Sequence, residues 1–379
     1  MNQKHGQNRK NLLILYTGGT ISSNGSYYKS ATKRTLLYIL KENYAVYVDH
    51  LQIKEDPFLS ILSENMTPGY LEEIILKVTK GINHYDGIII CHGTDTMAFT
   101  SALLYYRFSN LDIPLVITGS HLSIDEPDSD AFANLLDAIT VAQSAKAGVF
   151  VVFGGQVYWG NNLRKVVIGK DCYRNINLPF DSLGCPSTFL TNNDDSKYVC
   201  EVDLDDNGNA FHQISDDIAI IPIHPFFEVD LLSDIYRKGK RFIILESYNN
   251  GTANALGADS PYSLTSSIKE ITDDGGYIFF TSQQLGIVTK DTYDTSRTLV
   301  EAGAIPLNYL IKETAAARLS LLSLRVHDRE ELKNKLLFDS YWGVVQKAER
   351  PAVNRKVGGS NPPIPAIRYS NRSKELSVF

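Results

Sequence analysis

What this chain of 379 residues lacks narrows its function before any motif is read. It has few cysteines, and the four present (Cys91, Cys172, Cys185 and Cys200) form no CxxC pair. The start, Met1 to Lys10, is polar and shows no apolar leader pattern. The cysteines are therefore read as free thiols, and the expected compartment is a reducing cytoplasm. No apolar run approaches the roughly 20 residues of a membrane span, so no membrane is expected as a partner. Basic charge is not in excess, since 37 Lys and Arg face 43 Asp and Glu for a formal net charge of −6. A nucleic-acid-binding body would carry a basic stripe, so no nucleic acid is expected either. The eight histidines include no HxxxH or HxH spacing, and no metal is expected. Both GxGxxG and GxxxxGK(S/T) are missing, which counts against a nucleotide-binding loop.

What is present alternates between strand and helix. From Asn11 to about Phe153 the order reads strand, connection, helix, strand, helix, strand, helix, strand. Thr67 and Pro68 supply a cap and a first-turn proline. Leu71, Ile74, Ile75, Val78 and Ile82 then keep the spacing of an apolar helix face. Strands are read at Gly87–Cys91, Leu115–Thr118 and Val149–Phe153, with an amphipathic helix over Asp130–Ala142. The strands are continuous Val/Ile runs, as in a parallel sheet covered on both faces. This predicts an α/β fold with a doubly wound, mostly parallel sheet.

Residues 191–215 turn to Asn, Asp, Ser and Gly and read as an interdomain linker. It separates a larger N-terminal domain, residues 1–190, from a smaller C-terminal α/β domain, residues 216–345. Strands in the latter are read at Ile218–Ile223, Phe242–Leu245 and Tyr277–Phe280. Its helices are read near Asp230–Arg237, Ser263–Ile271, Thr295–Ala302 and Ala315–Leu324. Residues 346–379 hold seven Lys and Arg, two acids and four prolines. So little apolar surface cannot fold alone, and the stretch reads as a disordered basic tail.

Two strand ends carry the chemistry. The apolar run Leu12–Tyr16 enters Thr17-Gly18-Gly19-Thr20, where glycines allow close approach of backbone to a ligand. A phosphate-binding glycine loop or a plain strand–turn junction is the alternative reading of this segment. The run Gly87–Cys91 delivers His92-Gly93-Thr94-Asp95-Thr96 before an apolar helix. Thr96 and Asp95 are suited to capping that helix and complementing its dipole. His92 is read as a hydrogen-bonded structural residue, with a base or a ligand as the alternative. A second hydroxyl at a second strand end exceeds what capping requires, because ligands of open α/β sheets lie beyond the carboxyl ends of strands.

Together the motifs resemble those of the bacterial-type L-asparaginase family, its cytoplasmic type I branch in particular. The resemblance runs from about Leu12 to about Leu322. It rests on Thr17-Gly18-Gly19-Thr20-Ile21 and His92-Gly93-Thr94-Asp95-Thr96-Met97. Ser63-Glu64-Asn65-Met66-Thr67-Pro68, Thr118-Gly119-Ser120, Ser129-Asp130 with Asn134-Leu135, and Gly160-Asn161 followed by Lys165 support it. It implies hydrolysis of the side-chain amide of L-asparagine to aspartate and ammonia, with no cofactor. By motif position Thr17 corresponds to the primary nucleophile, and Tyr28, or alternatively Tyr27, to its proton-handling partner. Thr94, Asp95 and Lys165 correspond to a second triad. Ser63, Glu64 and Asp95 would hold the α-carboxylate and α-ammonium of the substrate, and N–H groups around Gly93 and Thr94 the oxyanion. Asn254, with Tyr293, would reach a neighbouring subunit's site in a homodimer or homotetramer. Which threonine attacks first is left open by the resemblance.

The residue types suit the reaction. An amide carbonyl is a poor electrophile, so an activated hydroxyl, oxyanion donors and a proton for leaving ammonia are all needed. A lysine takes a proton only once its amine is neutral, while a neighbouring carboxylate favours the ammonium. Lys165 is therefore read as a proton shuttle. The pattern departs from the type I branch at Leu62, at Leu163-Arg164 and at Val166-Val167-Ile168. Positions linked to an effector in some relatives fall at Glu246 and Gln284, so that kind of effector site is not expected here. A glutaminase-asparaginase, an amidase on another small amide, and a catalytically silent amino-acid-binding homologue are the competing readings.

Overall fold

The first strand, β1 (Asn11–Tyr16), is buried along almost its whole length, and parallel neighbours flank it on both sides. The computed structural model describes residues 9–24, 29–30, 36–144, 146–168, 170–176, 182–191, 212–257, 260–284, 288 and 293–337. After β1 come a two-residue pair, β2 (Ser23–Asn24) and β3 (Lys29–Ser30), then α1 (Leu36–Val48) and β4 (Gln52–Asp56). α2 (Pro68–Gly81), β5 (Gly87–Cys91), α3 (Met97–Arg107), β6 (Pro114–Thr118), α4 (Ala131–Ala142) and β7 (Gly148–Phe153) alternate next. β8 (Gln156–Trp159) turns back antiparallel to β7. The hairpin β9 (Leu163–Ile168) and β10 (Lys170–Asn175) and the short α5 (Pro186–Thr191) close the N-terminal half.

The six-stranded sheet has the order β4-β1-β5-β6-β7-β8, parallel except for β8. The chain therefore goes outward from β1 in one direction and then crosses back to the other side. This reversal defines a topological switch point between β1 and β5, and ligand crevices of open α/β sheets form outside the strand ends there. In register, Tyr16 lies beside Cys91 and Cys91 beside Thr118. Thr17, His92 and Gly119 thus open their loops side by side.

The second sheet is parallel throughout: β11 (Ile218–Pro222), β12 (Phe242–Ser247), β13 (Tyr277–Ser282) and β14 (Ile305–Pro306), in that order. α6 (Asp230–Arg237), α7 (Leu264–Asp273) and α8 (Asp294–Glu301) connect its strands, and α9 (Lys312–Leu322) and α10 (Arg329–Leu337) follow. The strand period of two divides its residues between two cores. Ile243, Leu245, Ile278 and Phe280 face a core of their own with Leu232, Ile268 and Leu299. Phe242, Ile244, Tyr277 and Phe279 join the core of the larger sheet, together with Leu319 and Leu322 of α9. α9 is buried nearly all round, as expected of a helix packed between layers.

The α/β class, with a larger and a smaller mostly parallel sheet, agrees with the sequence reading. α2 begins as predicted, with Pro68 in the first turn and the Thr67 hydroxyl accepting from the Tyr70 N–H. The sequence pattern does not predict α1, β4, the β9–β10 hairpin or α10. β4 reads QIKED, a polar edge strand paired only with β1. The 191–215 boundary is described only at Thr191 and from His212, and the 346–379 stretch lies outside the described residues. Among the described residues no helix is long and apolar enough to cross a membrane.

Candidate active site

Thr17 leaves β1 pinned to the end of β5. Its N–H donates to the Cys91 carbonyl at 3.0 Å and its hydroxyl to the same oxygen at 3.1 Å. A carbonyl is no base, so the proton that would activate this hydroxyl must go elsewhere. The next two residues are laced to the loop after β4. The Ile61 N–H donates to the Thr17 carbonyl at 3.0 Å and the Gly19 N–H to the Ile61 carbonyl at 2.8 Å. Gly19 holds φ +74, and a methyl there would lie 2.4 Å from the Gly93 Cα. The two motif loops therefore rest directly on each other, and only glycine permits it.

Ser63, 5 % exposed, opens a single 3-10 turn, Ser63–Asn65, against the same spot. A methyl on Gly93 would meet the Ser63 Cβ at 2.6 Å. The Ser63 hydroxyl accepts from the Asp95 N–H at 3.3 Å, and its carbonyl accepts from the Thr96 hydroxyl at 2.9 Å. That second bond revises the capping expectation. Thr96 occupies the N-cap position of α3 but makes no cap bond, because its hydroxyl is committed to Ser63. Glu64 is exposed on the same turn.

The β9–β10 hairpin brings in the amine. Lys165 Nζ donates to Thr94 Oγ1 at 2.8 Å and to Asp95 Oδ1 at 2.7 Å. Thr94 is buried, whereas the Asp95 side chain is 59 % exposed and Lys165 18 %. Lys165 is thus no free surface lysine. Arg164, the alternate residue on β9, turns away toward α9, its guanidinium 3.5 Å from the Glu313 carboxylate. Burial raises the Glu313 carboxyl, and the Arg164 charge opposes that shift.

Two titratable groups of the motifs are silenced by burial. Desolvation lowers His92 to about 4, while its ring bonds the Gly93 carbonyl at 2.7 Å and the Thr100 hydroxyl at 3.0 Å. Burial, and then the Glu55 carboxylate, push the Cys91 thiol up, so it stays protonated and is no nucleophile. Gly119 is fixed over this loop, since Asn134 Nδ2 donates to its carbonyl at 2.9 Å and to Asp130 Oδ2 at 2.9 Å.

Thr17, Ser63, Gly93, Thr94, Asp95 and Lys165 are thus joined by a short chain of contacts. Tyr28 and Tyr27 lie outside the described residues. Asn254 is bonded elsewhere: its Oδ1 accepts from the Leu256 N–H at 3.1 Å, in a loop after β12. Tyr293 is exposed at the start of α8. Glu246, at one of the effector-linked positions, is buried and paired with Lys312 at 3.0 Å. Sequence reading misses Tyr173, whose hydroxyl donates to the Thr94 carbonyl at 2.7 Å. The only signal for it is its place eight residues after Lys165 across a glycine, legible once the hairpin is known.

A mostly parallel α/β sheet with hydroxyl, carboxylate and amine groups at its switch point defines a class of small-ligand enzyme folds. A family model described as Asparaginase, N-terminal, matches residues 11–179. A glutamyl-tRNA(Gln) amidotransferase subunit of Pyrococcus furiosus is 31% identical over 358 residues, covering 90% of this chain and 78% of that protein. The thermostable L-asparaginase from Thermococcus kodakarensis is similar in structure, with a TM-score of 0.73 and 27% identity over 86% of this chain and 96% of that one. L-asparaginase I from Vibrio cholerae gives a TM-score of 0.70 and 27% identity over 87% of this chain and 98% of that one. The chain belongs to the asparaginase family. The similarity to an amidotransferase component makes the family assignment broader than the type I branch that the motifs suggest.

Proposed function

We propose that the chain is a cytoplasmic amidohydrolase that converts L-asparagine to L-aspartate and ammonia through a threonine nucleophile. The observation that carries this reading is the Lys165 amine within 2.8 Å of Thr94 Oγ1 and 2.7 Å of Asp95 Oδ1, beside the loop that holds Thr17. In the proposed sequence the Thr17 oxygen attacks the amide carbon and its proton passes to Tyr28 or, alternatively, Tyr27. N–H groups around Gly93 and Thr94 stabilise the oxyanion. The carbon–nitrogen bond breaks, ammonia leaves with a delivered proton, and water cleaves the acyl-threonine ester to restore Thr17. Thr94, Asp95 and Lys165 move the proton for the water step, while Ser63, Glu64 and Asp95 hold the amino-acid end. Asn254 completes the pocket from a neighbouring copy in a homodimer or homotetramer. No cofactor enters this scheme.

The 31% identity to an amidotransferase component favours a second reading, in which the same machinery releases ammonia for use by a partner protein. One extra methylene is weakly discriminated by an apolar pocket, so the amide itself must be tested. Ammonia release by the purified chain from L-asparagine and L-glutamine, measured side by side, separates the readings. We expect the asparagine reaction to dominate. Release from glutamine alone would favour the amidotransferase-like reading, and calorimetric binding without ammonia at any enzyme concentration would favour a silent binding protein.

A further inference from the structure

Tyr173 stands directly opposite Lys165 in the β9–β10 ladder. Directly opposed residues project from the same face of a hairpin. Both side chains end on one residue: Lys165 on the Thr94 hydroxyl at 2.8 Å and Tyr173 on the Thr94 carbonyl at 2.7 Å. The two are not equivalent holds. A lysine reaches its partners through a flexible four-carbon stem, and Asp95 competes with Thr94 for its protons. Tyrosine has two side-chain torsions. Here its ring is 2 % exposed and packed edge-on against Phe153, centroids 5.2 Å apart.

The hairpin itself is tied down at its base. Asn175 Nδ2 donates to the Trp159 and Asn161 carbonyls at 3.0 and 2.9 Å, and the Asn162 N–H donates to the Thr314 hydroxyl at 2.8 Å. A hairpin anchored at its base, carrying a packed ring, can therefore fix the height of the Thr94 backbone, which the lysine stem cannot do.

We propose that Tyr173 is a positioning residue that sets the Lys165–Thr94 bond by clamping the Thr94 carbonyl to the hairpin. This rests on the reading of Lys165 as the proton carrier of the hydrolysis. Tyr173→Phe keeps the ring and removes the hydroxyl that makes the clamp. Misplacement of a reacting group by about 1 Å can cost up to about 100-fold, so a fall in kcat of about tenfold is expected. KM should change less than kcat, because the deleted hydroxyl bonds the Thr94 carbonyl and not a group that binds substrate directly. The melting temperature should hardly move. On Lys165→Met, adding Tyr173→Phe should lower the residual rate no further.

A readout that needs no substrate accompanies the kinetics. Reductive methylation of Lys165, followed by mass spectrometry and normalised to exposed Lys80, should run several-fold faster in Tyr173→Phe. Tyr158→Phe, a hydroxyl loss in the same aromatic cluster, should move neither readout. Unchanged kcat and unchanged Lys165 reactivity would overturn the proposal. So would a lower melting temperature with every lysine more reactive, since that is general loosening. Faster Lys165 labelling in a protein that hydrolyses no amide would keep the clamp and reject the hydrolase reading.

Discussion

The imidazole of His92 carries its proton on Nδ1, because the Gly93 carbonyl 2.7 Å away can only accept. Nε2 then accepts from the Thr100 hydroxyl, so both ring nitrogens of the buried neutral imidazole are paired. As pH falls below the usual 6.5 the unfolded chain takes up a proton here, but the folded one resists down to about 4. The stability from this residue is therefore complete above 6.5 and is lost as pH drops toward 4, on the order of 3 kcal/mol. Urea unfolding of wild type should show that decline, and His92→Gln should show a flatter profile over the same range. Equal slopes would mean another group is responsible. The sequence allowed His92 to be read as structural, with no HxH or HxxxH partner to make it a metal ligand. It did not allow Thr96 to be read correctly. A threonine before a helix reads as a cap, and the competing Ser63 carbonyl is a contact across 33 residues.

Strand-to-loop junctions decide whether the elements can meet. At Gly19 a methyl would stand 2.4 Å from backbone, and φ is +74, so the loop after β1 has no room to yield. Gly19→Ala should destabilise the fold by about 2 kcal/mol or more and lower turnover. Thermal unfolding together with kcat checks it, and a neutral effect on both would show that the junction is looser than described. The buried parallel strands β1, β5, β6 and β7 were legible because each is five or six residues long and built on an unbroken apolar run. The hairpin was not. β10 reads KDCYRN, with no apolar alternation, and its side chains are selected by bonds to Thr94, Trp159 and Asn161. Val166 and Val167, which depart from the family pattern, are strand residues of β9 paired with Cys172 and Asp171.

Chain order and space part company most at the level of the whole molecule. Thr17 comes after the first strand and Thr94 after the fifth, yet the order β4-β1-β5 makes their strands neighbours. Alternating strands and helices revealed the class, but the reversal at β1 depends on β4, whose polar run hid it from sequence reading. The second sheet shares its core with the first through α9. The part-buried Arg164–Glu313 pair adds a polar link from that helix to the strand that carries Lys165. Cutting such a pair on one side leaves an uncompensated charge, so this link is costly to break. The decisive experiment is the turnover of L-asparagine by wild type, Thr17→Ala and Thr94→Ala, with substrate binding followed by calorimetry on the same samples. Each substitution should lower kcat by about 1,000-fold or more while binding persists and the melting temperature is preserved. Near wild-type kcat in either variant would contradict the claim that these two strand ends form one catalytic centre.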